Sequence, residues 1–342
     1  VTEGSGLASG ATAARRHGEA AGAPLRVAAA SPSFCEHPTL CTELLARFPQ
    51  ARLNTSLQRL HGDGLVEFLQ GSDVAIVGLE AMTASVIARL PELKIIAKLG
   101  TGVDMIDGAA MAARGIRLGW KPGANALSIA ELVIAFALVA LRNMGGTNLA
   151  LRQRGDLTRR MGRLLTGRVF GLHGCGHIGQ QVVRLLAPFA CQVLACDIAD
   201  RAHFYAAHGV QAVGFDELLE RSEVLSLHIP LTPTTRGLYG REVLARLRPD
   251  CVLINTARGE LVDEAALHER LAAGALAGAC ADVFASEPAF DSPLVALPNF
   301  FGTPHIGGSA AEARLAMGRI AIQGIFDNFV PVPGAPPFDD AG

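Results

Sequence analysis

The segment Gly174-Cys175-Gly176-His177-Ile178-Gly179 sets three glycines at G-x-G-x-x-G spacing, between an apolar run, Val169 to His173, and a helical run, Gln180 to Leu186. In that setting the first glycine permits a tight turn, the second lets backbone approach a pyrophosphate, and the third allows close helix-strand contact, while the helix N-terminus favours phosphate charge. Asp197 closes the next apolar run 18 residues beyond Gly179, where a carboxylate can bond both hydroxyls of a ribose. Ile198 and Ala199 follow it, so no arginine adjoins to hold a 2′-phosphate, which the carboxylate itself would repel. The pattern predicts NAD rather than NADP. His173, Cys175 and His177 could be drawn as metal ligands, but the turn accounts for them and no fourth ligand falls at a suitable spacing, so no metal is expected.

Further polar residues sit at the ends of later apolar runs. In Asn255-Thr256-Ala257-Arg258-Gly259 an arginine follows such a run, at the carboxyl end of a sheet where open α/β folds bind ligands, and a guanidinium there can hold a carboxylate with two parallel hydrogen bonds. Asp282, Glu287 before Pro288, and His305 within Thr303-Pro304-His305-Ile306-Gly307 complete the set. Singly, each suits a turn or a solvated loop; the order arginine, glutamate, histidine after a dinucleotide loop is what suggests a site.

These groups require a scaffold of alternating strands and helices. Strands are predicted from Leu25 and at Arg52 to Thr55, Val74 to Val77, Ile95 to Leu99 and Ile116 to Leu118, with helices between them. A long apolar helix, Ser128 to Met144, forms a junction and is followed by a polar stretch. A second series has six strands: Val169 to His173, Gln192 to Cys196, Val210 to Val213, Val224 to His228, Val252 to Asn255 and Gly278 to Asp282. Ala310 to Phe329 reads as another amphipathic helix. The fold class is α/β, with two doubly wound parallel sheets.

Composition agrees. The 342 residues are half hydrophobic and 18% charged, enough for two buried cores. Thirty basic against 32 acidic residues leave a net charge of -2, which argues against nucleic acid and anionic membrane as partners. The mean hydropathy is +0.31, yet the longest apolar run, Leu132 to Leu141, is far shorter than the roughly 18 to 20 residues of a membrane span. Seven scattered cysteines without a CxxC pair suggest buried thiols, no disulfide framework and a cytoplasmic setting. Residues 1–24 and 333–342 read as tails, the first disordered.

Seven blocks in order resemble the D-isomer-specific 2-hydroxyacid dehydrogenase family: Leu99 to Asp107, Pro122 to Ala126, the glycine loop, His228-Ile229-Pro230-Leu231-Thr232, Thr256 to Gly259, Ala281 to Phe284 and Pro304 to Gly307. The wording from Lys98 to Asp104 is most similar to the short phosphoglycerate dehydrogenase type, although Lys98 stands where that type often has arginine. The resemblance implies that Arg258 binds the substrate carboxylate and 2-oxygen, that His305 is the acid/base, and that Glu287 orients it. It places His228, Pro230, Thr256, Ala257 and Asp282 with Gly174, Gly176, His177, Ile178, Gly179 and Asp197 around NAD, with Asp282 near the nicotinamide carboxamide. Lys98, Gly100, Thr101, Gly102 and Asn125 fall on the substrate side. It further implies a flavodoxin-like substrate domain, 25–121 with 307–332, into which a Rossmann NAD-binding domain, 122–306, is inserted, and a homodimer. The expected activity is hydride transfer at C2 of a small D-2-hydroxy or 2-oxo acid, with 3-phosphoglycerate one candidate. Glycerate, glyoxylate or phosphite, or a non-catalytic NAD-sensing corepressor role, are the alternatives.

Overall fold

Short runs of small and β-branched residues, buried on both faces, form the strands; Val74–Val77 reads Val-Ala-Ile-Val with every residue buried, as parallel strands between helical layers require. A computed structural model describes residues 24–332 apart from 160 and 290, together with 334 and 337. Except for Pro24, Gly334 and Pro337, the expected tails lie outside the described residues.

The first sheet contains β1 (Val27–Ala29), β2 (Arg52–Leu53), β3 (Val74–Val77), β4 (Ile95–Lys98) and β5 (Arg117–Gly119), in the order β2-β1-β3-β4-β5. The second contains β6 (Val169–His173), β7 (Gln192–Cys196), β8 (Gln211–Ala212), β9 (Val224–Leu227), β10 (Val252–Asn255), β11 (Gly278–Ala281) and β12 (Phe300–Gly302), in the order β12-β11-β10-β9-β6-β7-β8. Every strand pairing is parallel. The order in which strands are added reverses between β1 and β3 in one sheet and between β6 and β9 in the other, opening the crevices where such folds bind ligands. The α/β class with two doubly wound sheets is the observed one.

Helix Ala126–Leu141 buries Ile129, Val133, Phe136 and Ala137 in a core with Val182 and Leu186 of helix His177–Leu186 and with β6 residues Phe170 and Leu172. Helix Ala311–Gly324 returns to the first sheet, where Met317, Ala321 and Ile322 pack with Val27, Phe34 and Ile76.

Four expectations need correction. The second sheet has a seventh strand, β12, whose three residues carry too little pattern to be read. The polar stretch after the junction helix contains helix Met144–Arg154, which buries no residue and so lacks apolar periodicity. The last helix stops at Gly324, because Asn328 Nδ2 donates to the carbonyls of Gly324 and Ile325 and Phe329 bridges back to Leu118. All seven cysteines are free thiols, but only Cys175, Cys251 and Cys280 are buried and the others are half-buried. No single helix among the described residues is long and apolar enough to cross a membrane.

Candidate active site

The glycine loop follows β6 directly. Gly174 has φ +92°, and a Cβ there would lie 2.7 Å from the His228 carbonyl oxygen, so the turn needs glycine twice over. Gly176 has nothing within 4 Å of a built Cβ, which leaves room beside the N-terminus of helix His177–Leu186. His177 is exposed on the first turn, Ile178 packs on the core and Gly179 is buried against Gly174. At the end of β7, Asp197 Oδ2 accepts from Cys175 N at 2.5 Å and Oδ1 from Ala199 N at 2.8 Å, so this carboxylate also braces the loop.

One premise of the cofactor reading changes here. Arg201 Nε lies 4.0 Å from Asp197 Oδ2, brought near by the turn after β7 although it is not adjacent in sequence.

His228 and Thr256 follow the neighbouring strands β9 and β10. His228 Nε2 meets Ser226 Oγ at 3.0 Å, while His228 Nδ1 and Thr256 Oγ1 are shielded from solvent without a hydrogen-bond partner. Enclosure pushes the His228 pKa down to about 3, with the nearby His173 adding to the effect, so the ring is neutral. Two orphaned polar atoms at a sheet crevice, next to an open glycine cradle, fit a polar dinucleotide. Pro230 lies exposed just beyond, its carbonyl accepting from Thr235 Oγ1.

The acid/base candidates meet at the ends of β11 and β12. His305 Nδ1 and Glu287 Oε2 are 2.9 Å apart. His305 adopts φ +55°, unusual for a residue with a side chain, and its amide donates to the Asp282 carbonyl at 2.9 Å. The hydrogen bond that His305 donates to the Glu287 carboxylate raises the pKa of His305 against the opposing effect of burial. Burial in turn pushes the Glu287 carboxyl up, but the bond and charge of His305 outweigh it and hold Glu287 below its ordinary value. Asp282, 2% exposed, accepts from Thr303 Oγ1 at 2.6 Å, Ile306 N at 2.7 Å and Gly307 N at 2.7 Å. It therefore pins the loop that carries His305.

Arg258 lies close enough for its charge to depress both His305 and Glu287. Its loop is bracketed by Asn255, which accepts from Ala257 N at 3.1 Å and donates to the Arg258 carbonyl at 2.8 Å. The guanidinium reaches across to the first sheet and makes a two-point ion pair with Asp104, at 2.9 and 3.0 Å. The turn after β4 is held from several sides: Thr101 Oγ1 donates to Asn125 Oδ1 at 3.3 Å, and Trp120 Nε1 to the Thr101 carbonyl at 2.9 Å. Lys98 lies beneath Gly100, 2% exposed, donating to the Leu99 carbonyl at 2.5 Å; burial lowers its pKa to about 8.

The structure thus brings Arg258, Glu287, His305 and Asp282 together and sets the loop from Gly100 to Gly102 with Asn125 opposite them. Lys98, though buried, lies beside the same loop, its Nζ 3.2 Å from where a Cβ of Gly100 would stand and within the field of Asp104 and Arg258. Asp104, Asn255 and Thr303 also take part in the site, although the sequence pattern does not mark them. Each appears in a motif, but nothing in spacing assigns Asp104 a partner 154 positions away.

Residues 134–307 match the model of the D-isomer specific 2-hydroxyacid dehydrogenase family, NAD binding domain. The chain belongs to the D-isomer specific 2-hydroxyacid dehydrogenase family. It is 34% identical over 290 residues to the hydroxypyruvate reductase of Thermotoga maritima, covering 83% of this chain and 93% of that one. It is 38% identical over 265 residues to the D-3-phosphoglycerate dehydrogenase of Methanocaldococcus jannaschii, covering 76% of this chain but 50% of that one, so this family member spans about half the length of that relative. Among solved structures, a candidate NAD-binding D-isomer specific 2-hydroxyacid dehydrogenase from Polaromonas sp. JS6 66 superposes with a TM-score of 0.81 at 32% identity, covering 88% of this chain and 96% of that chain.

Proposed function

We propose that this protein reduces a small, unphosphorylated 2-oxo acid to the D-2-hydroxy acid, with hydroxypyruvate or glyoxylate as first candidates, and catalyses the reverse oxidation. The observation that carries the reading is the 2.9 Å pair of His305 and Glu287, within the field of Arg258 at the carboxyl end of the dinucleotide-type sheet. The glycine loop from Gly174 to Gly179 and Asp197 would hold the dinucleotide, which when bound would supply hydride chemistry.

The chain's own residues supply the rest. Arg258 and the loop amides of Gly100 to Gly102 hold the substrate carboxylate, fixing C2 and its oxygen. His305, kept protonated by Glu287, donates its proton to the 2-oxygen as hydride arrives, giving the alcohol. In oxidation the neutral imidazole takes that proton back. Asp282 holds the histidine loop through the amides of Ile306 and Gly307.

For the cofactor, Asp197 supports NAD: its carboxylate stands where ribose hydroxyls bind, and the nearby Arg201 faces that negative charge. For the substrate, Lys98 stands where the phosphoglycerate dehydrogenase type often has arginine and its ammonium is engaged by the Leu99 carbonyl, which supports ranking 3-phosphoglycerate second. We assign residues 25–121 and 307–332 to the substrate domain and 122–306 to the NAD-binding domain, with a homodimer and a cytoplasmic setting as part of the same reading.

Product analysis tests this. Hydroxypyruvate and NADH should yield D-glycerate, with NADPH far less effective and with little NAD reduction by D-3-phosphoglycerate. Formation of L-glycerate, or turnover of only the phosphorylated acid, would overturn the reading.

A further inference from the structure

Asp104 sits on the turn after β4 of the first sheet, whereas Arg258 follows β10 of the second. Their ion pair spans the two: Arg258 Nε donates to Asp104 Oδ2 at 2.9 Å and Nη2 to Oδ1 at 3.0 Å. A guanidinium has five N–H donors. Asp104 takes two, along the Nε and Nη2 edge, and the Ala257 carbonyl takes one from Nη1 at 2.7 Å. Two N–H groups remain, one on each terminal nitrogen, which is the number a carboxylate accepts from a fork.

The approach is close by construction. A Cβ at Gly102 would lie 2.2 Å from Arg258 Nη2, so the loop can meet the guanidinium only because that residue is glycine. Lys98 below the loop lies within the field of the buried Glu80 and of both Asp104 and Arg258.

We propose that Asp104 is a positioning residue for Arg258: it clamps the guanidinium across the cleft by one edge, so that the two remaining N–H groups face the carboxylate of a 2-oxo acid. This rests on the reading of Arg258 as the carboxylate binder. As a stability element the pair counts for little, because Asp104 is 54% exposed and exposed ion pairs are weak. Its effect falls on geometry, where a small displacement of a binding group costs about 10²-fold in rate.

The test is a double-mutant cycle with hydroxypyruvate and NADH as substrates. Asp104→Ala should lower kcat/KM by about 10²-fold, with a share of the loss in kcat, while the NADH dissociation constant and Tm stay at wild-type values. Asp104→Asn, which keeps one acceptor oxygen, should fall between. In an Arg258→Ala background, adding Asp104→Ala should change nothing further. Unchanged kcat/KM in Asp104→Ala would overturn the proposal, as would an increase, which would make Asp104 a competitor for the fork. Losses that multiply in the double variant would also overturn it, since Asp104 would then act independently of Arg258. If Arg258→Ala alone is silent, the reading of Arg258 itself fails and takes the proposal with it.

Discussion

Glu287 Oε2 lies 2.9 Å from His305 Nδ1, and the histidine is presented on a left-handed backbone whose amide is tied to Asp282. Orientation and protonation are therefore set mainly by different residues, with the charge of Asp282 adding to the effect of Glu287 on the ring. Glu287 raises the proton affinity of the ring, and Asp282 fixes where the ring stands.

That division gives a pH prediction. With its pKa raised above the ordinary 6.5, His305 stays protonated to higher pH, so reduction holds below the raised value and declines as pH rises through it. Oxidation, which needs the neutral ring, should gain over the same range. Glu287→Gln removes the main raising influence, so the alkaline decline of the reductive kcat/KM should move to lower pH. The profile from pH 5 to 9 checks this, and an unmoved limb would leave Glu287 a turn residue.

Asp282 should separate from Glu287 in its effect. Three donors converge on its buried carboxylate, and Asp282→Asn turns an amide N–H toward at least one of them. Loss of a buried hydrogen-bond partner costs about 1–3 kcal/mol, so Tm should fall by several degrees and kcat should drop, while the pH profile moves to lower pH by less than in Glu287→Gln, because the Asp282 charge is a smaller raising influence on His305. Thermal melts beside kinetics distinguish the outcomes.

At the nucleotide end, Asp197→Ala should raise the NADH dissociation constant about ten- to hundredfold, the weight of roughly 1.5–3 kcal/mol for hydrogen bonds to a charged group. It also releases the amide of Cys175 and unmasks Arg201, so the preference for NADH over NADPH should narrow. Fluorescence titration with both nucleotides measures this; an undiminished preference would shift cofactor choice away from this pair.

Much of this arrangement could be read from the chain. Val74–Val77 and Val252–Asn255 announce buried parallel strands by composition, and the glycine loop is legible because its chemistry is local, between one strand and one helix. Helix Met144–Arg154 was not legible, since it buries nothing and has no apolar stripe. The pair Asp104 and Arg258 was hidden for another reason: their meeting depends on how two sheets face each other, which no local spacing encodes. Arg201 is similar on a smaller scale, carried to Asp197 by a turn rather than by adjacency.

The most direct measurement is NADH oxidation by wild-type protein and His305→Ala against a panel of hydroxypyruvate, glyoxylate and pyruvate, with NADH affinity measured in parallel. The wild type should turn over at least one of these acids, and His305→Ala should lose about two to four orders of magnitude in kcat while binding NADH as before. Near-normal turnover in His305→Ala, or NADH binding by the wild type with no turnover of any acid, would contradict the account.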